Sequence, residues 1–117
     1  MSISYYPVPS SAIKYSSFKK DARASKFRGL KYIKPVKGEY VPKGTEKAFI
    51  LEDTKKNWLF VHELDKEGNV ELCNYQLSGD NDSSSIIAKV LSYYKCKASR
   101  EGEEDAIFSA YDFRHSG

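Results

Sequence analysis

Residues 58–77, WLFVHELDKEGNVELCNYQL, decide how this chain is read. The run WLFVHEL (58–64) is dense in aromatic and β-branched residues, which fit a pleated, half-covered surface. Asp65-Lys66-Glu67-Gly68-Asn69 breaks the run. Gly68 suits the left-handed position after a type I turn and closes a hairpin with a bulge. VELCNYQL (70–77) then returns as the partner strand. Two registers compete. Pairing Asp65 with Asn69 puts His62 opposite Leu72 and sets Glu63 against Glu71, an unfavourable like-charge pair. A shift of one residue puts His62 opposite Glu71 and Trp58 opposite Tyr75.

Upstream, KAFILE (47–52) is an apolar strand, joined to the hairpin by a turn at Asp53–Asn57. Downstream, Gly79-Asp80-Asn81-Asp82 is a polar loop. Asp82 or Ser83 caps a helix over 84–97, where Ile87, Leu91 and Tyr94 recur at helical spacing beside Ile86, Val90 and Tyr93. Lys95 and Lys97 fall in its last turn and complement the helix dipole. Ser99 to Asp105 is a charged connection, AIFSAY (106–111) a last strand, and 112–117 a polar tail. The expected fold class is α+β: a small antiparallel sheet, built as a three-strand meander plus a returning strand, packed by one main helix.

The first third of the chain has a different character. Residues 1–47 hold eleven Lys/Arg and three Asp/Glu, about +8; residues 48–117 hold eight and thirteen, about −5. The two add to the net +3 of the 117-residue chain. Pro7 and Pro9 favour extended backbone over 1–11. Residues 12–28 suit either a short helix near 17–27, ended by Gly29, or irregular structure, since Ile13, Phe18 and Phe27 form no clean helical stripe. LKYIK (30–34) alternates as a short strand, Pro35 ends it, and Gly38, Pro42 and Gly44 punctuate a loop. Residues 1–44 therefore read as a basic, aromatic-rich arm, and 45–117 as the α+β core domain. With an arm that adds little to the core, about 70 residues must bury most of it, near the lower limit for a self-supporting domain.

That arm interleaves cations with rings. Lys19, Lys20, Arg23, Lys26, Arg28 and Lys31 have the charge to neutralise phosphates, as do Lys14, Lys34 and Lys37 around them. Tyr15, Phe18, Phe27 and Tyr32 have the faces to stack on unpaired bases. The expectation is a non-enzymatic binding module that contacts nucleic acid or a nucleoprotein complex through the arm. The alternative is a protein target: a small inhibitor of a host or effector protein, of the phage anti-defence or takeover type, or a subunit of a larger assembly.

Other chemistry finds little support. His62, Cys73, Cys96 and His115 lack the close pairing of zinc ligands, so no metal or other cofactor is expected. Asp80-x-Asp82-x-Ser84 opens like a calcium loop but has Ser85 and Leu91 where glycine and glutamate belong, and reads as turn plus cap. Cys73 and His62 on adjacent strands lack a third, orienting group, and no phosphate-cradling glycine loop is present. Glu101, Glu103, Glu104 and Asp105 read as a solvated loop, or as a counterpart to the basic arm. No apolar run is long enough for a membrane helix. With no charged-then-apolar leader at the N-terminus and only two cysteines, a cytoplasmic chain with reduced thiols is expected.

Overall fold

The computed structural model describes residues 2–34, 47–75 and 81–115. The predicted loop with Gly38, Pro42 and Gly44, the start of the Gly79–Asp82 loop, Lys37 and the last two residues lie outside them. The elements are β1 (Ser2–Val8), α1 (Tyr15–Arg23), β2 (Lys31–Ile33), β3 (Ala48–Glu52), β4 (Trp58–Glu63), β5 (Val70–Tyr75), α2 (Ser84–Tyr94), β6 (Lys97–Arg100), β7 (Glu103–Phe108) and α3 (Ala110–Arg114). The strands form one antiparallel sheet in the order β2-β3-β4-β5-β1-β6-β7. The fold is compact and α+β.

The central hairpin takes the shifted register. His62 pairs with Glu71 and Phe60 with Cys73, which keeps Glu63 opposite Val70 rather than a like charge. Leu64 N–H donates to the Asn69 carbonyl at 2.7 Å, and Gly68 sits in the turn at φ +80°. Strand alternation then sorts the side chains. Phe49, Leu51, Leu59, Val61, Val70 and Leu72 join the main core with the buried residues of all three helices. Ile50, Phe60, Cys73 and Tyr75 form a second cluster, with Ile33 and Trp58 against it.

Residues 2–34 are built into this architecture rather than set apart from it. β1 lies between β5 and β6 inside the sheet. It pairs with β5 over Ser2–Tyr5 and with β6 over Tyr5–Val8. Pro7 thus lies beyond the stretch bonded to β5, and its missing N–H costs that ladder nothing. α1 begins at Tyr15 and ends before Ser25, which turns at φ +57°, well short of Gly29. Its buried stripe is Tyr15, Phe18 and Ala22, at i, i+3 and i+7. The exposed positions between them carry Ser16, Ser17, Lys20 and Arg23. The first third of the chain therefore enlarges the core instead of leaving about 70 residues to form it.

Three further elements differ from expectation. α2 stops at Tyr94 because Lys95 turns left-handed at φ 54°, so Lys97 opens β6 instead of closing the helix. The charged connection at 99–105 is a hairpin, with Gly102 at φ +78° in its turn. Glu103, Glu104 and Asp105 sit on the edge strand β7 and Glu101 in the turn before it, where charge stays solvated. The expected last strand ends early, at Phe108, and α3 takes Ala110 and Tyr111 from it and Asp112–Arg114 from the expected tail, started by a capping box: Ser109 N–H donates to Asp112 Oδ2 at 2.7 Å, and Asp112 N–H donates back to Ser109 Oγ.

Candidate nucleic-acid interface

The four rings expected to stack on bases are packed on protein. Phe18 is fully buried, with ring centroids 5.4 Å from Phe27, 5.2 Å from Phe49 and 5.4 Å from Tyr94. Tyr15 packs on Phe49 at 5.7 Å, and half-buried Tyr32 on the same ring at 5.3 Å. Tyr15 is 2 % exposed and Phe27 5 %. A ring with both faces in such a cluster has none left for a base. These side chains are buried because the helical stripe of α1 and the turn after it must cover the sheet.

The cations take the opposite side. Lys20, Arg23, Lys26, Arg28 and Lys31 are exposed and Lys19 half-buried. None of the six makes an ion pair among the described residues, where the pairs are Lys47–Glu63, Lys56–Glu52 and Arg100–Glu103. Asp21, the one carboxylate on α1, is turned inward and accepts a hydrogen bond from the Tyr94 hydroxyl at 2.9 Å. The acidic run at 101–105 does not meet these cations: Glu103 pairs with Arg100 in its own hairpin.

Three open clefts divide this surface. The first, about 570 Å³, holds Lys19, Lys20, Arg23 and Lys47, with Glu63 answering Lys47 at 3.7 Å. Tyr15 also lines it; burial pushes its phenol up to about 12, and its hydroxyl has no hydrogen-bond partner among the described residues. The second, about 620 Å³, gathers Lys26, Arg28, Lys89 and Arg114 around Ser92 and Tyr93, with no carboxylate in its lining. The third, about 420 Å³, balances Arg28, Lys31 and Lys56 against Glu52 and Asp53. Positive charge is least compensated in the first two.

The sequence reading did not reach Lys47, Lys89 or Arg114. Lys89 holds an exposed position between buried Ala88 and Val90 on α2, where a solvent-facing lysine carries no special signal. Arg114 depends on α3, announced only by Ser109-x-x-Asp112. Tyr93 is 45 % exposed and 4.7 Å from the Phe27 ring, which makes it the accessible aromatic of the second cleft.

His62 is fully buried and lies nearly parallel to the Phe60 ring, 5.6 Å away. Neither ring nitrogen has a hydrogen-bond partner among the described residues. Burial lowers its pKa and raises that of Cys73, so both are held neutral, the reverse of a thiolate–imidazolium pair. The register sets Cys73 opposite Phe60, not His62. Half-buried Cys96 is pushed up to about 11 by burial, and both thiols are free. His115 lies on the exposed Tyr111 ring at 4.2 Å, far in the chain from the others. Among the described residues, no three His, Cys, Asp or Glu side chains are grouped to hold a metal ion, and no helix is long and apolar enough to cross a membrane. Asp82 accepts from Ser84 N–H at 3.0 Å, a turn at the start of α2. A scan against protein-family models, a search of curated proteins and a search of solved structures each found no match to the chain.

Proposed function

We propose that this chain is a non-enzymatic binding module that grips the phosphate backbone of nucleic acid, alone or within a nucleoprotein complex. The observation that carries this reading is the set of six cations on α1, the turn after it and the start of β2, none in an ion pair among the described residues. Side chains of one sign crowded on one face repel each other, and a polyanion relieves that repulsion while releasing its own counterions. Lys19, Lys20, Arg23, Lys26, Arg28 and Lys31 are the phosphate contacts. Because Tyr15, Phe18 and Phe27 are buried in the core and Tyr32 packs on Phe49, base stacking falls to Tyr93. Backbone contact without base readout implies weak sequence preference.

The test is a mobility-shift titration of the full chain with a duplex, a single strand and an RNA hairpin. Lys20→Glu/Arg23→Glu/Lys26→Glu together are expected to weaken binding at least a hundredfold with the melting temperature little changed, since all three are exposed. No shift with any of the three probes at low salt rejects the reading and turns the search to an acidic protein target.

A further inference from the structure

Four cations meet in the second cleft from three separate stretches of chain: Lys26 and Arg28 from the turn after α1, Lys89 from α2, and Arg114 from α3. Two of them are held in place by groups inside the cleft. Arg114 Nη2 donates to Ser92 Oγ at 2.7 Å, and Lys89 Nζ donates to the Arg28 carbonyl at 3.5 Å. Gly29 turns the chain at φ +80°, and a Cβ there would lie 3.1 Å from Lys89 Nζ. The missing side chain thus leaves Lys89 its room. Part of the positive charge faces the carbonyl end of α2, but a helix end offers roughly half a negative charge, far short of four cations. Among the described residues, the lining supplies no carboxylate for the rest.

We propose that this cleft is a discrete pocket for a phosphomonoester, borne either by a nucleic-acid end or by a free mononucleotide. The proposal rests on the backbone-binding reading for its strand-end form. A phosphomonoester carries about −1.5 to −2 at neutral pH and three acceptor oxygens, whereas a backbone diester carries one charge. Four cations gathered in one cleft match the former; cations strung along α1 match the latter. The cleft, about 620 Å³, is open to solvent, so a phosphate that carries a sugar and base can reach the four cations from outside. Tyr93, braced on Phe27, presents an exposed ring beside the cations for the sugar or base that follows the phosphate.

The experiment compares 3′-labelled 12-nucleotide single strands that end in 5′-phosphate or 5′-hydroxyl, by fluorescence anisotropy with the full chain. Adenosine monophosphate is titrated in parallel and followed by the amide signals of Gly29, Ser92 and Arg114. The phosphate-ended strand is expected to bind about tenfold tighter. Lys89→Gln/Arg114→Gln removes that gap, while Lys19→Gln/Lys20→Gln weakens both strands and keeps it. Equal affinity of the two strands, or a gap that survives Lys89→Gln/Arg114→Gln, overturns the strand-end pocket without touching the backbone reading. If neither strand binds, the backbone reading fails, and the nucleotide arm decides alone. Saturable shifts at those three amides then assign the pocket to a free nucleotide, and unmoved signals overturn it.

Discussion

Phe18 touches four of the structure's contributors at once: α1, the turn after it, β3 and α2, through its own ring and those of Phe27, Phe49 and Tyr94. Phe18→Ala leaves a cavity in a place where the neighbours are rings that cannot collapse far. The expected cost is about 3–5 kcal/mol, read as a lower urea midpoint. A cost under 1 kcal/mol would show the ring to be peripheral. His62 makes a second test. Its folded pKa lies below the ordinary 6.5 because burial disfavours the charged ring, with Glu71 opposing. Above pH 6.5 both folded and unfolded forms are neutral. As pH falls through 6.5 the unfolded chain takes up the proton first, and stability drops until the folded pKa is passed. His62→Phe is expected to flatten the loss of melting temperature between pH 7 and pH 5. At pH 7 it should stabilise the fold by about 1 kcal/mol, because two unsatisfied nitrogens leave the interior. An unchanged acid slope in His62→Phe counts against the assignment. These roles were partly legible in the sequence. The one-residue register that pairs His62 with Glu71 was open there because only one like-charge pair separated the alternatives. The burial of Tyr15 and Phe18 was not, because tyrosine and phenylalanine beside lysines have the same composition in a core stripe and in a nucleic-acid platform.

Among the elements, β1 carries the most weight. It separates β5 from β6, so without it the sheet falls into two pieces, and α1 packs its Tyr15 and Phe18 rings on Phe49 of β3. A 45–117 fragment is therefore expected to show no cooperative thermal transition and to be digested rapidly by trypsin, while the full chain melts in a single step. A cooperatively folding fragment would mean that residues 1–44 are dispensable to the core. The hairpin 58–75, β3 and α2 were legible because their apolar spacing is dense and their turns carry Asp, Asn and Gly. β1 was hidden by Pro7, which lacks a backbone N–H and so argues against an interior strand unless it lies outside one of the two ladders, as it does here. α1 was hidden by a stripe whose third member is only Ala22, with no side-chain cap at Lys14. β6 was hidden by the charges of Lys97 and Arg100, and β7 was legible only from Ala106 onward, because Glu103, Glu104 and Asp105 sit on an edge that tolerates charge and read as loop. The end of α2 depended on Lys95 adopting a left-handed conformation more usual for glycine or asparagine. Asn81 shows what the end of the loop before α2 contributes. Its side chain accepts from Trp58 N–H at 2.8 Å and donates to the Trp58 and Tyr75 carbonyls, tying the far ends of β4 and β5 together.

For the whole molecule, the cations from Lys19 to Lys31 stay at the surface, even though the segment that carries them is woven into the core. Rings inward and cations outward is the arrangement a single amphipathic segment reaches when it must cover a sheet and meet solvent at the same time. Clefts lined by one sign of charge also raise the local concentration of an oppositely charged partner and its rate of encounter. The measurement that tests this account most directly is the salt dependence of duplex DNA binding by the full chain, followed by fluorescence anisotropy from low to physiological salt. Six side chains each neutralising one phosphate give a log–log slope of about −5, reduced by about 3 in Lys20→Glu/Arg23→Glu/Lys26→Glu. A slope near zero, or one unchanged by that triple substitution, would contradict the claim that this face grips a phosphate backbone.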